Sequence, residues 1–538
     1  MVEKTRPGDV AARALGAPSL CEDSTGTGEE TTPVDFIGDE EAALAGIVSR
    51  LEPTRRDIIQ AVQAHHALWR FGRVLRRAPT ARHRASYPTD RIDQFWSHSW
   101  HGSTWNKVLT AIYLSNGLAA SLLATVGAAL LMVCVGTGTL PEKIFSQEPQ
   151  YPEHSMWCTV LGFLLYLLVL FFWRPSKSIF LDVLCIDQED EQRKMEGVIS
   201  MGAFVKCSDV LLVLWDSTYT RRLWCVFEMA AFMHSHPDFS RANIVIRPTI
   251  LGPCLISLTV ALSCCLHAVG LIPRAALNHE DAIIWPIMFL CLIVVFYLSV
   301  AALRAYYRSV ETLQREMSQF CAEECLCWCC STNHVSPTGD VLACDRRIVF
   351  QCVRKWFGSL AAFEEKVRTD VVSCLADQLS GQIFTYARCA TSAVPVLWHF
   401  LDRAGTHLHR REWRYVDSVL MEIFRGLAWG LGVIPIFIAV GARLCSCLQK
   451  RRTWRVVEAL TNSFILAFFV LMLLGALELE QQCWRFEQAY ITPPGELWTL
   501  LPGSIIFTVI TLSMAGMIFR YLARKKHVAR APAGQLSA

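Results

Sequence analysis

The sequence predicts an α/β unit built on a four-stranded parallel sheet and fused to an α-helical region that crosses a membrane several times. Three observations carry this. Short apolar runs at 179–186 and 210–215 alternate with helix-patterned stretches and end in polar turns, Asp187-Gln188-Glu189-Asp190 and Asp216-Ser217-Thr218. Strands without in–out alternation suit a sheet covered on both faces. Uncharged spans near or beyond the ~20 residues that cross a bilayer recur along the chain. Finally, of 538 residues 53% are hydrophobic and only 18% charged, with a mean hydropathy of +0.32, too apolar for an ordinary soluble protein.

Taken in order, residues 1–45 form an N-terminal segment rich in Gly, Pro, Thr and Glu that has little to bury and is expected to be disordered. Residues 46–90 form a basic helical region. Its helix starts near Thr54 and continues through Ile58, Val62 and Leu68 into Arg70, Arg73, Arg76, Arg77, Arg82 and Arg84, interleaved with Trp69 and Phe71. Such a stretch is either a solvated face or a membrane-surface contact. Residues 91–107 hold a short strand at 94–97 and a turn, Ser97-His98-Ser99-Trp100-His101-Gly102, into a helix. A transmembrane hairpin fills 108–173.

The α/β pattern resumes over 174–250. A strand is followed by a helix at 193–205, a strand at 210–215, a helix with Leu223, Val226, Phe227 and Ala230 on one side, and a last strand at 242–246. The α/β unit is therefore 91–107 plus 174–250, split by the hairpin. A second hairpin covers 251–303, a cysteine-rich helical region 304–386, a C-terminal membrane region 387–520 and a basic tail 521–538.

Basic flanks precede the first span and follow the second, the fourth and the last, which puts both termini in the cytosol. Seven clear spans would leave the tail outside, so an eighth is expected at 389–401, around Pro395 and between Arg388 and Asp402. Within the clear spans His267 is the one ionisable side chain besides cysteines. That argues against ion or proton coupling, though not against a passive pore. The 22 cysteines lie largely in apolar runs and no cleavable signal peptide opens the chain, as expected of a reduced, cytosol-facing protein. A net charge of +3 gives no reason to expect nucleic acid, and the lipid bilayer is the partner that composition implies.

The strongest motif is Trp224-Cys225-Val226-Phe227-Glu228, at a helix start just beyond a strand that ends in Ser217-Thr218-Tyr219. This resembles the Toll/interleukin-1 receptor (TIR) domain, where a strand ending in a serine-containing turn leads to a W-C-x-x-E helix. Phe95-Trp96-Ser97-His98-Ser99 resembles the first TIR strand and its turn, and 180–188 resembles the second strand entering the loop used for TIR–TIR contacts. The resemblance covers a minority of the chain and implies a flavodoxin-like sheet. The interrupting hairpin and the missing fifth strand depart from the pattern.

In a doubly wound sheet ligands bind beyond the carboxyl ends of the strands, where strand order reverses. That crevice is expected to hold Ser97, His98, Ser217, Trp224 and Glu228. The resemblance implies NAD as a substrate cleaved at the nicotinamide–ribose bond, with Glu228 the catalytic carboxylate. It equally allows a pure adaptor that works by self-association. A reading from another class is a channel or transporter with an α/β regulatory domain.

A second cluster contains Cys321, Cys325, Cys327, Cys329 and Cys330, then His334, Cys344 and Cys352. Cys327 and Cys330 have zinc-ligand spacing, and His334 and Cys344 could complete a tetrahedral site. S-acylation of a juxtamembrane thiol and unmodified thiols are the competing readings.

Overall fold

The structure, a computed structural model, describes residues 34–76, 85–142, 154–237, 243–270, 284–335, 339, 341–379, 384–491 and 500–528. It separates into two compact units. The first comprises Met1–Trp105 (described from Val34), Ser176–Pro248 and Thr312–Leu375; the second comprises Asn106–Pro175, Thr249–Glu311 and Ala376–Ala538.

The first unit is built on a six-stranded sheet of β1 (Gln60–Gln63), β2 (Tyr87–Pro88), β3 (Ile92–His98), β4 (Ser178–Phe180), β5 (Ser208–Trp215) and β6 (Ile244–Pro248), in the order β2-β1-β4-β3-β5-β6. The four strands β4-β3-β5-β6 are parallel, with Gln94 opposite Val210, Ser97 opposite Val213 and Leu212 opposite Val245. The strand at 94–97 thus pairs with the strand at 210–215 across the hairpin, as the sequence requires. Along the chain the parallel strands lie second–first–third–fourth, so strand order reverses at β3. Phe95, Phe180, Leu211, Leu214 and Trp215 are fully buried, which is why these runs read as continuous apolar stretches.

Three expectations about the sheet need correction. The sheet is mixed and six-stranded, because β1 and β2 add an antiparallel edge beside β4. Residues 54–63, expected to be helical, form a 3-10 turn at Arg56–Ile58 and then β1. Ala61 and Val62 are fully buried there, so tertiary burial overrides the local helical pattern. The apolar run 179–186 is a strand only at Ser178–Phe180. Leu181 then starts a one-turn helix, Asp182–Cys185, in which the Asp182 carboxylate accepts from the Val183 N–H at 2.8 Å.

The remaining helices follow local rules. Asp190 caps the Glu191–Ile199 helix by accepting from the Gln192 and Arg193 N–H groups at 2.9 and 3.2 Å. The stretch 193–205 breaks at Ser200, and Met201–Lys206 continues as a second helix against Leu223–Ser235. A helix at Val34–Val48 begins inside the segment expected to be disordered and packs on Asp345–Phe357. Its partner lies some 300 residues away, where composition cannot see it. Of the basic stretch, Arg77, Arg82 and Arg84 lie outside the described residues. The Ala64–Arg76 helix is broken at Arg70, Phe71 and Gly72, which have positive φ.

Among the described residues six helices, lying mostly in the second unit, are long and apolar enough to cross a membrane, namely Thr104–Gly136, Leu251–Ala268, Ile293–Ser318, Tyr415–Cys447, Arg455–Tyr490 and Leu501–Ala523. This composition is that of a multi-pass integral membrane protein. Trp157–Phe172 is apolar but shorter. Tyr386–Arg410 is a 25-residue helix through Pro395 that buries Ser392, Trp398, Asp402 and Thr406 among its neighbours. The loop containing Arg274, Glu280 and Asp281 lies outside the described residues.

Candidate functional site

The parallel strands end where β3 runs into Ser97 and His98 and β5 into the turn Asp216-Ser217-Thr218-Tyr219. Asp216 Oδ1 accepts from the Thr218 N–H at 2.9 Å, a local side-chain turn that fixes the loop. Gly102 permits this turn to sit close, since a Cβ there would come 1.8 Å from Asp216 Oδ2. Thr218 Oγ1 lies 2.6 Å from Ser99 Oγ, and Tyr219 OH lies 2.6 Å from Ser97 Oγ. Ser97 Oγ in turn lies 2.5 Å from Glu228 Oε2, on the second turn of the Leu223–Ser235 helix. The first strand, the third strand's turn and the W-C-x-x-E helix therefore converge on one serine hydroxyl.

Burial governs the electrostatics. Glu228 keeps some exposure as a residue, but desolvation of its carboxyl pushes its pKa up to about 8. The Ser97 hydrogen bond opposes the rise, the Asp182 charge adds to it and Arg222 opposes it. Asp182 is itself raised by burial while accepting from Trp100 Nε1 at 3.1 Å. Proton accounting then runs two ways. With Glu228 ionised, Tyr219 donates to Ser97 and Ser97 to the carboxylate. With Glu228 protonated the chain reverses, and Tyr219 donates to the Cys225 carbonyl at 3.4 Å. Burial of the Glu228 carboxyl favours the second arrangement, in which the group is a hydrogen-bond donor.

Of the residues expected here, Ser97 and Glu228 meet directly. His98 is buried next to them and packs edge-on against Trp100, with ring centroids 4.6 Å apart. Ser217, expected to border the crevice, is exposed in the turn, and Thr218 and Tyr219 are the turn residues that bond Ser99 and Ser97. Trp224 points its Nε1 to Asp345 Oδ2 at 3.3 Å. Sequence reasoning missed Tyr219. Its position two residues after Ser217, opposite a strand-end serine, is the signal that could have found it.

The cysteine-rich region belongs to the same unit. Sγ of Cys329, Cys330 and Cys344 and a ring nitrogen of His334 all lie within 4.8 Å of one another. Cys330 Sγ is 3.7 Å from Cys344 Sγ and 3.9 Å from His334 Nε2. Asn333 and His334 take positive φ, and the His334 N–H bonds the Cys329 carbonyl at 2.7 Å, which folds the histidine back over the one-turn helix Trp328–Ser331. Cys327 lies 3.0 Å from Cys329 Sγ and shares a second grouping with Cys329 and Asp345. Cys330, His334 and Cys344 are thus brought together as the spacing suggests, with Cys329 in the fourth place.

The second unit holds a polar interior that counting charges within apolar runs overlooked. Asp402 accepts from the Cys158 and Thr159 N–H groups at 2.7 and 2.8 Å, capping Trp157–Phe172 from a distant helix. Arg425 bonds Glu480 at 2.9 Å and Glu422 at 3.2 Å, and Glu422 also accepts from Arg403 at 2.8 Å. Glu422 and Glu480 are buried, and both helices extend past their apolar runs. His267 Nδ1 lies 2.6 Å from the Ser263 carbonyl oxygen, a packing bond.

Comparison with known proteins returns no matching protein family, no matching curated protein and no matching solved structure.

Proposed function

We propose that the protein is a membrane-anchored signalling module whose first unit is a TIR-like α/β domain that cleaves NAD at Glu228. The observation that carries this reading is the Ser97–Glu228 pair at the point where strand order reverses. The parallel order second–first–third–fourth is that of flavodoxin-like sheets. A carboxyl shifted by burial in such a crevice marks a functional-site candidate.

The chemistry follows from charge. The bond between nicotinamide nitrogen and ribose carbon breaks, its electron pair neutralises the nicotinamide ring, and water captures the oxocarbenium-like ribose. Glu228 must be ionised to stabilise that cation and hold the ribose hydroxyls. A bound nicotinamide ring is cationic, and an opposite charge lowers a carboxyl pKa. Substrate binding therefore favours the active form, and activity rises with pH as Glu228 ionises.

Eight crossings, counting Trp157–Phe172 and Tyr386–Arg410, would put both termini in the cytosol, where NAD is available and the cysteines stay reduced. Of the metals, zinc suits the Cys/His cluster best.

A second reading is favoured by the closed chain Glu228–Ser97–Tyr219–Cys225, whose groups satisfy one another. In it the tie is structural and the domain signals by self-association through the loop after β4. One experiment separates the two readings. The full-length protein in detergent is given NAD, and nicotinamide release is followed for wild type and Glu228→Gln. Release that the substitution abolishes supports catalysis. No release from folded protein supports assembly alone.

A further inference from the structure

We propose that Cys329, Cys330, His334 and Cys344 bind one zinc ion in a closed, tetrahedral site that staples the cysteine-rich region onto the Glu228 helix. The geometry comes first. Zinc–sulfur and zinc–nitrogen bonds of about 2.3 and 2.1 Å give tetrahedral edges of about 3.8 Å between sulfurs and about 3.6 Å between sulfur and nitrogen. The Cys330–Cys344 and Cys330–His334 separations of 3.7 and 3.9 Å lie close to those edges, and every other pair in the set is within 4.8 Å. The left-handed backbone at Asn333 and His334 costs free energy that a coordination bond from His334 would offset.

The surroundings are those of a metal thiolate. The Asp345 N–H points at Cys329 Sγ at 3.3 Å, the kind of backbone donor that stabilises a coordinated sulfur. The N–H of Cys344 is held by the buried Glu41 carboxylate at 2.8 Å, which anchors that ligand's backbone. Binding would convert three thiols to thiolates and release three protons, leaving a complex of net charge −1. Four protein ligands leave no open coordination position, so the role is structural. Three sulfurs and one nitrogen select zinc over harder cations.

The consequence concerns the neighbouring helix. Asp345, next to the ligand Cys344, accepts from Trp224 Nε1. Leu326, shortly before the first ligand, bridges Arg222 in register, with its N–H on the Arg221 carbonyl at 2.6 Å and its carbonyl accepting from Leu223 at 3.3 Å. Both clamps fall on the first turn of the Glu228 helix. The ion would hold that turn whether or not Glu228 is catalytic.

The test is elemental analysis and X-ray absorption on the full chain purified into lipid nanodiscs without added chelator. The expected result is one zinc per chain with a shell of three sulfurs and one nitrogen. Cys330→Ser and Cys344→Ser should each lose zinc by at least tenfold, and Cys327→Ser should keep it. Hydrogen exchange at 221–228 should speed up on zinc removal. Folded wild type without zinc, or with a shell lacking a histidine nitrogen, would overturn the proposal. So would loss of zinc in Cys327→Ser with retention in Cys330→Ser, which would point to the Cys327, Cys329 and Asp345 grouping. The absorption spectrum of the wild type decides the matter even where a serine variant fails to fold.

Discussion

Ser97 Oγ lies 2.5 Å from Glu228 Oε2, joining the central parallel strand to a helix 131 residues later in the chain. Between them the chain leaves the sheet, runs through the apolar helices Thr104–Gly136 and Trp157–Phe172 and returns. The bond closes only if the split halves of the α/β unit are correctly paired, so it reports on the fold as well as on chemistry.

The raised Glu228 pKa makes stability pH-dependent. The folded state holds its proton up to about pH 8, while the unfolded state loses it near the ordinary 4.5. Between those values the folded state binds more protons, so stability falls as pH rises, by up to about 1.4 kcal/mol per pH unit. Glu228→Gln should flatten this slope. Hydrogen exchange of β3 and the Leu223–Ser235 helix, compared at pH 5 and pH 8, measures it.

Ser97→Ala leaves Tyr219 and Glu228 without their common partner. A buried group left unsatisfied costs about 1–3 kcal/mol. The substitution also removes a bond that lowers the Glu228 pKa, so the pH at which stability levels off should move higher. Thermal unfolding followed against pH tests both parts.

Gly102→Ala puts a methyl group where Asp216 Oδ2 stands. The Asp216–Thr218 turn must shift, at a cost of about 1–3 kcal/mol typical of overpacking. Exchange rates should rise first at 216–220, and an unchanged turn would show that the close approach is not required.

In the second unit, Arg425→Ala takes the guanidinium from the buried Glu480, leaving it only the Trp429 Nε1 donor at 3.2 Å, while Glu422 keeps Arg403. Removing one partner of a buried ion pair costs about 3–5 kcal/mol. The variant should lose detergent-stable protein on heating well below wild type, whereas exposed Arg414→Ala should behave as wild type.

How much of this was legible follows from where each signal resides. The pairing of 94–97 with 210–215 was readable because 210–215 is apolar throughout, Phe95-Trp96 gives the shorter run an apolar centre, and both end in turn residues. The W-C-x-x-E helix was readable because its order after a strand is local. The β1–β2 edge was not, because Ile58, Val62 and Leu68 fit a helix and only burial beside β4 makes 60–63 a strand. Tyr219 was passed over for Ser217 because a tyrosine after a strand reads as core, and only the folded turn brings its hydroxyl to Ser97. Cys327 was chosen over Cys329 by spacing along the chain, whereas the backbone turn at Asn333 and His334 selects by distance. Glu422, Arg425 and Glu480 escaped because they flank the apolar runs and become interior only through helix packing.

Nicotinamide release from NAD by the full-length protein, measured from pH 5 to pH 9 beside Glu228→Gln, tests the central claim most directly. The account predicts release by wild type that climbs with pH to a plateau, and a fall of at least about 100-fold in the folded variant. Equal rates in the two proteins, or no release from folded wild type at any pH, would contradict it.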